Sequence, residues 1–326
     1  SAPAVSPATL ARDVAPVFEV SDVATAEAVN AALMAMPHEW VHACDTEVAD
    51  LDISKSPIGQ GRVTCISIYS GPEADYGRGP GYALWVDTTD EAVMRAFAPF
   101  LESEKHLKAW HNYGFDRHVL WNHGIDVRGL GGDTMHLARL WDAARKNGYS
   151  LEALTEELLQ RRKVPMKEIF GVPKLKRDGT PGKLVELPPI AELQTNPLTR
   201  TEWIEYSVYD AQGTWLLHEE LRRRLEGMRW KDGLSMYAFY TRYWAPFGSL
   251  LTDMERVGIY VDTEEKLPKM EVLAHEDMAA SMKTWYEFTE KVQGEGGRHI
   301  NTRSPVQLQQ FFFGGGKGTK LEAEKE

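Results

Sequence analysis

The sequence predicts a mixed α/β domain followed by a mostly helical segment, and three observations predict it. Strand-like runs of β-branched and aromatic residues, Trp40 to Glu47, Arg62 to Tyr69 and Tyr82 to Val86, are set apart by turn-rich segments such as Gly71-Pro72 and Gly79-Pro80-Gly81. Helix and strand patterns then alternate, as in domains that pack helices on a sheet. Beyond Thr201 only helical periodicity remains.

The stretch to Asp22, rich in Ala, Pro and Val without a clean period, reads as an arm or leader remnant, residues 1–22. A helix is expected from Ala24 to Met36, and the three strands that follow suggest an antiparallel meander. Next come a helix from Glu91 to Glu102, a strand from Leu107 to Trp110, and helices from Phe115 to Asn122, Asp133 to Ala144 and Tyr149 to Leu159. The basic, Pro- and Gly-rich stretch at about 160–198 is too long for an ordinary connection and reads as an insertion, functional or flexible. Helices are expected from Thr201 to Gly227, Leu234 to Val257 and Thr263 to Val292, with Gly258 in the usual C-terminal position. The tail, Gly314 to Glu326, reads as disordered or truncated. This gives a division into 1–22, 23–230 and 231–326, without an internal repeat.

With 326 residues, 43% of hydrophobic and 26% of charged type, the chain can bury a sizeable core. No apolar run approaches the roughly 18 residues of a membrane span, and no secretory signal is visible. The chain starts at Ser1 without an initiator Met, which suggests a presequence or domain upstream. Cys44 and Cys65 lie in strand-like runs, as buried thiols without disulfide or zinc spacing. A net charge of −11 excludes a protein that coats nucleic acid nonspecifically. Locally the balance reverses: between Arg161 and Lys183, eight basic residues face only Glu168 and Asp178. That segment, with Lys174, Lys176 and Arg177 at its centre, is suited to contact a polyanion. Nothing in the sequence fixes an oligomeric state.

Four carboxylates carry the chemistry. Asp45 and Glu47 lie two apart on a strand, so both point to one face. Asp116 opens a helix after a short strand, and the preceding Asn112 is placed to bond the pocket wall or a substrate. Tyr206 and Asp210, four apart on a helix, share a face, and a phenol beside a metal carboxylate can orient water. Singly each has a plainer explanation: a solvated Asp-x-Glu pair, a helix N-terminal acid complementing the macrodipole, a core tyrosine. Jointly they read as a site for two divalent cations, and hard oxygen ligands in this number suit Mg²⁺ or Mn²⁺. Such a site suits phosphodiester cleavage, one metal supplying hydroxide and the other stabilising the departing oxygen.

The segments Asp45-Thr46-Glu47, His111-Asn112-Tyr113-Gly114-Phe115-Asp116 and Tyr206-Ser207-Val208-Tyr209-Asp210 resemble the three exonuclease motifs of the DEDD superfamily. Tyr in the third places them in the subclass found in the proofreading domain of bacterial DNA polymerase I. His111 and Val48 depart from the commonest bacterial residues. Tyr243-Trp244-x-Pro246-Phe247-Gly248, Leu251-x-x-Met254-Glu255-x-x-Gly258-Ile259-x-Val261-Asp262 and Asn301-x-x-Ser304-x-x-Gln307-Leu308 look like the start of a family A polymerase domain. Met166-Lys167-x-Ile169-Phe170-Gly171 and Leu175-Lys176-x-Asp178-Gly179 are similar to an insertion in plant-type organellar DNA polymerases, which points to mitochondrion or plastid.

The resemblance implies a ribonuclease H-like fold. In it Asp45, Glu47 and Asp210 hold one metal, Asp45 bridges to a second that Asp116 binds largely through water, and Tyr206 orients the attacking water. It also implies an apolar wedge at Leu51 and a phosphate contact at Arg145. The expected activity is 3′→5′ hydrolysis of single-stranded or frayed DNA ends to 5′-mononucleotides, without nucleotide addition, since the polymerase palm and fingers motifs are missing. Replication proteins are a further class of partner the resemblance allows. The alternatives are an RNA-trimming exonuclease of the same superfamily and a retired binding or scaffold module.

Overall fold

The computed structural model describes residues 14–176 and 179–314. They fall into two compact units, divided between Val257 and Gly258, later than the division expected near residue 230. The expected tail lies outside the described residues apart from Gly314.

The first unit is built on a six-stranded sheet in the order β1-β4-β3-β2-β5-β6. The strands are β1 (Val17–Val20), β2 (Val41–Ala49), β3 (Arg62–Tyr69), β4 (Ala83–Asp87), β5 (Leu107–Trp110) and β6 (Leu130–Asp133). The meander is as expected: β2 pairs antiparallel with β3, and β3 with β4. β5 and β6 continue the sheet in parallel from β2. The arm reading fails at Val17–Val20, which pairs in parallel with β4. Phe18 and Val20 enter the core, and four residues are too few to show a period among the surrounding Ala and Pro.

Period two along the strands sorts side chains between two cores. Cys44, Ile66 and Ile68, with Val63 brought to the same side by a register shift opposite Glu47 and Val48, join one with α1 (Val23–Ala35), capped by Asp22 through the Thr25 amide at 2.9 Å, and with α2 (Glu91–Ala96) and α3 (Ala98–Leu101). α2 and α3 replace one expected helix, because Pro99, in the first turn of α3, has no amide proton to give the Arg95 carbonyl one turn back. Also on this side is α4 (Tyr113–Asn122). Cys65, Tyr69 and Trp85 join the opposite core with Trp203 and Tyr206 of a long helix, described below as α9. Both cysteines are buried and free.

From β6 the chain runs through α5 (Thr134–Trp141) and α6 (Leu151–Leu159), which Ser150 caps, into the basic insertion. There α7 (Met166–Phe170), a hairpin of β7 (Val172–Leu175) and β8 (Pro181–Glu186), and α8 (Ile190–Thr195) lead into α9 (Arg200–Gly227). Buried Phe170 anchors the insertion edge-on to Trp203 and Tyr206.

The next expected helix is three pieces: α10 (Met236–Phe239), one π turn at Tyr240–Trp244, and α11 (Ala245–Val257). Pro246 cannot donate to the carbonyl one turn before it, and the widened turn accommodates the missing bond. This segment belongs to the first unit. The Asp133 amide donates to the Tyr240 hydroxyl at 2.7 Å, and Arg117 donates to the Ser249 carbonyl at 2.9 Å and pairs with Asp253.

The second unit consists of α12 (Lys266–Gln293), a 3₁₀ turn at Gly294–His299, and α13 (Pro305–Phe313). Trp285 meets Phe311 and Phe312, and the Thr289 hydroxyl donates to the Gly297 carbonyl at 2.9 Å. No described helix is long and apolar enough to cross a membrane.

Candidate active site

β2 is a central strand, and Cys44 faces the core away from α9, so Asp45 and Glu47 face α9. Asp210 comes to meet them from that helix. One carboxylate oxygen from each of Asp45, Glu47 and Asp210 lies within 4.8 Å of the others. Asp116 approaches from α4 and is tied to the same strand, accepting from the Thr46 amide at 3.1 Å and the Thr46 hydroxyl at 2.7 Å. The structure thus gathers all four acids around β2.

Burial and mutual repulsion set their protonation. Burial, then Asp210, Asp116 and Glu47, push Asp45 well above the usual carboxylate range. Glu47 is pushed up to about 8 by burial and Asp210. Asp116 reaches about 7 through burial, against the opposing pull of the Thr46 bonds. Burial also raises Asp210, against the pull of Lys163. One Asp210 oxygen, Oδ1, is buried without a hydrogen-bond partner. Crowded acids that hold protons against their nature, and a buried carboxylate oxygen without a hydrogen-bond partner, suit the binding of a divalent cation.

This arrangement makes stability depend on pH and cation together. Carboxylates in an unfolded chain titrate near pH 4, whereas Glu47 and Asp116 in the folded, cation-free protein do so at about 8 and about 7. Below that window both states hold the protons. Through it the unfolded chain loses them first, so cation-free stability falls between about pH 4 and pH 8. Cation binding takes up the ionised form and reverses the loss. Mg²⁺ is therefore expected to raise the melting temperature more at pH 8 than at pH 5 by calorimetry; an equal shift at both would contradict the ligand assignment.

Tyr206, one turn before Asp210, is buried and stacked on Trp203. Burial, then the Asp210 charge, raise its phenol above its ordinary value, so the hydroxyl keeps its proton at neutral pH. Asn112, in left-handed backbone at φ 70°, exposes its amide side chain and does not cap α4. Its backbone amide donates to Asp133 at 3.2 Å. Leu51, in the turn after β2, is half-buried, and Gly61 at φ 82° lets the returning chain lie close against it and Val48.

Of the other expected contacts, Arg145 and Lys174 have acidic partners within the chain. Arg145 is buried 2.8 Å from Glu157 of α6 and donates through Nε to the Gly148 carbonyl at 2.8 Å. Lys174 pairs with Glu186 at 3.3 Å across the hairpin, and the Lys176 amide donates to the Thr180 carbonyl at 2.8 Å. Arg177 lies outside the described residues.

Three residues escape the sequence reading. Thr46, between the two acids, holds Asp116. Asp133 accepts from the amides of Tyr113 and Met135, each at 2.9 Å, and so fixes the starts of both α4 and α5; an Asp before a helical run signals only the second role. Lys163 lies 2.5 Å from Asp210 Oδ2, and in the sequence it is one more charge in a basic run.

Fold and site together define a nuclease that depends on metal ions, with its acids drawn from a central strand and two helices. The family model for 3′-5′ exonuclease matches residues 17–226, and the chain belongs to that family, in the branch attached to family A DNA polymerases. It is 41% identical over 323 residues to DNA polymerase I A, chloroplastic/mitochondrial, of Arabidopsis thaliana, with 92% of this chain and 30% of the relative covered. It is 40% identical over 324 residues to DNA polymerase I A, chloroplastic, of Oryza sativa, with 92% and 31% covered. The chain thus spans under a third of the length of these relatives. Among solved structures, the POL domain of Pol1 from M. smegmatis has a similar fold, with a TM-score of 0.57 at 20% identity, covering 85% of this chain and 37% of that one. Trypanosoma brucei RNase D in its GMP complex gives 0.51 at 15%, covering 76% and 67%.

Proposed function

We propose that this chain is the proofreading part of an organellar family A DNA polymerase, trimming single-stranded or frayed DNA 3′ ends to 5′-mononucleotides with two divalent cations, Mg²⁺ or Mn²⁺. The observation that carries this is the convergence of Asp45, Glu47 and Asp210, with Asp116 tied to the same strand through Thr46, near enough to Tyr206 for Asp210 and Glu47 to act on its phenol. Asp45, Glu47 and Asp210 would hold one cation, and Asp45 with Asp116 the other. Bound there, the cations activate water near neutral pH and stabilise the departing oxygen. Tyr206, still protonated, orients the water through its hydroxyl rather than removing its proton. Leu51 stands at the end of the metal-bearing strand, where it can press on the terminal base, and the exposed Asn112 amide is free to bond it.

The plant relatives, named as chloroplast and mitochondrial polymerases, support DNA as substrate and an organelle as location, because their similarity runs on past the nuclease. RNA trimming has only the fold likeness to RNase D behind it. The deciding measurement offers 5′-labelled DNA and RNA strands of one sequence with Mg²⁺. DNA should shorten from its 3′ end faster; equal or faster RNA trimming would favour the alternative.

A further inference from the structure

We propose that Lys163 is a positioning residue of this site, holding Asp210 and Tyr206 in register for the cation and the attacking water. It lies in the segment between α6 and α7 that opens the basic insertion, far in sequence from every acid.

Three consecutive residues clamp this segment onto α9. The Arg161 guanidinium lies 4.6 Å from the centre of the Tyr209 ring, and the Arg162 carbonyl accepts from the Tyr209 hydroxyl at 3.2 Å. Lys163 then reaches Asp210 Oδ2 at 2.5 Å, with its ammonium 4.5 Å from the centre of the Tyr206 ring. Its side chain is only 15% exposed, so this is not a solvated lysine that meets an acid by chance.

The division of labour between the Asp210 oxygens gives the geometry its meaning. Oδ2 is taken by Lys163, whereas Oδ1 is buried and unpartnered. A carboxylate anchored through one oxygen presents the other at a fixed angle, which is how groups behind metal ligands act. Lys163 bonds the two third-motif residues on α9, and no hydrogen bond joins it to Asp45 or Glu47 among the described residues. It therefore braces the helix side of the site and does not fill the space between the acids. It also makes the insertion a structural part of the catalytic centre, in addition to any contact the hairpin makes with a strand.

This inference rests on the metal-dependent exonuclease reading, and the test separates the two. Lys163→Met keeps the length of the side chain and removes its charge and donors; Lys163→Arg keeps both. Mn²⁺ binding is measured by electron paramagnetic resonance on each protein without nucleic acid, and kcat and KM on a single-stranded oligonucleotide. Lys163→Met is expected to weaken Mn²⁺ binding and lower kcat by on the order of 10- to 100-fold, with KM and the circular dichroism spectrum unchanged, and Lys163→Arg to restore most of both. Mn²⁺ binding by Lys163→Met as tight as or tighter than wild type would overturn the proposal, the tighter case marking Lys163 as a competitor for the cation position. A raised KM with unchanged kcat would also overturn it, making Lys163 a strand contact. If the wild-type protein itself bound no Mn²⁺, the metal-site reading would fall, and this inference with it.

Discussion

Asp45→Ala should abolish strand shortening while leaving the cation-free protein at least as stable as wild type. Asp45 is the carboxylate most crowded by others, its burial compounded by Asp210, Asp116 and Glu47. Its removal takes away a ligand central to the site and relieves repulsion in the same step. Metal stabilisation of transition-state charge contributes several kcal/mol, and each 1.36 kcal/mol is a factor of ten, so a loss of about 10³-fold or more is expected. Release of mononucleotides from a labelled strand, with a melting curve in chelator, checks both halves. Near-normal hydrolysis would sink the site assignment, and a lowered melting temperature would show that Asp45 supports the fold. Tyr206→Phe, which loses an orienting hydroxyl and no ligand, should cost less, about 10²-fold.

Unpaired 3′ ends should be trimmed on the order of 10²-fold faster than the same ends in a matched duplex, with mismatched ends between them. On the proposed reading, acids set between β2, α4 and α9 meet a terminal phosphodiester after its base has left the helix. Opening costs a few kcal/mol per pair, less for a mismatch, and adds to the barrier at the exchange rate just given. Leu51→Ala should widen the difference, since a half-buried leucine braced beside Gly61 opposes re-pairing and its loss slows only the ends that must open. Equal rates on paired and unpaired ends would rule out strand opening as part of the reaction.

Much of this site was legible in the sequence because its parts are local. Asp45-x-Glu47 needs only a strand and Tyr206-x-x-x-Asp210 only a helix, and both elements lie where periodicity and turn residues put them. What stayed hidden depends on contacts between distant segments. Lys163 and Arg145 are both basic residues near the insertion, yet one reaches Asp210 and the other is buried against Glu157, and nothing local separates them. Thr46 carries no pattern of its own, since its role is defined by an acid seventy residues later. The π turn before Pro246 was similarly invisible, because the helical period on either side of it is intact.

The four-residue strand at Val17–Val20 bears on how the chain can be shortened. It lies along β4, whose core sequence Ala-Leu-Trp-Val would otherwise be the rim of the sheet, and Glu19 fastens it to Arg200 of α9 at 3.2 Å. A version starting at Val23 would keep every acid and the whole of α9. It would also bare a flat, apolar row of unpaired amides and carbonyls, a template on which other chains can add strands. Such a protein should aggregate while its soluble fraction remains active, so poor recovery after trimming the first 22 residues would reflect an open sheet edge and not a damaged centre.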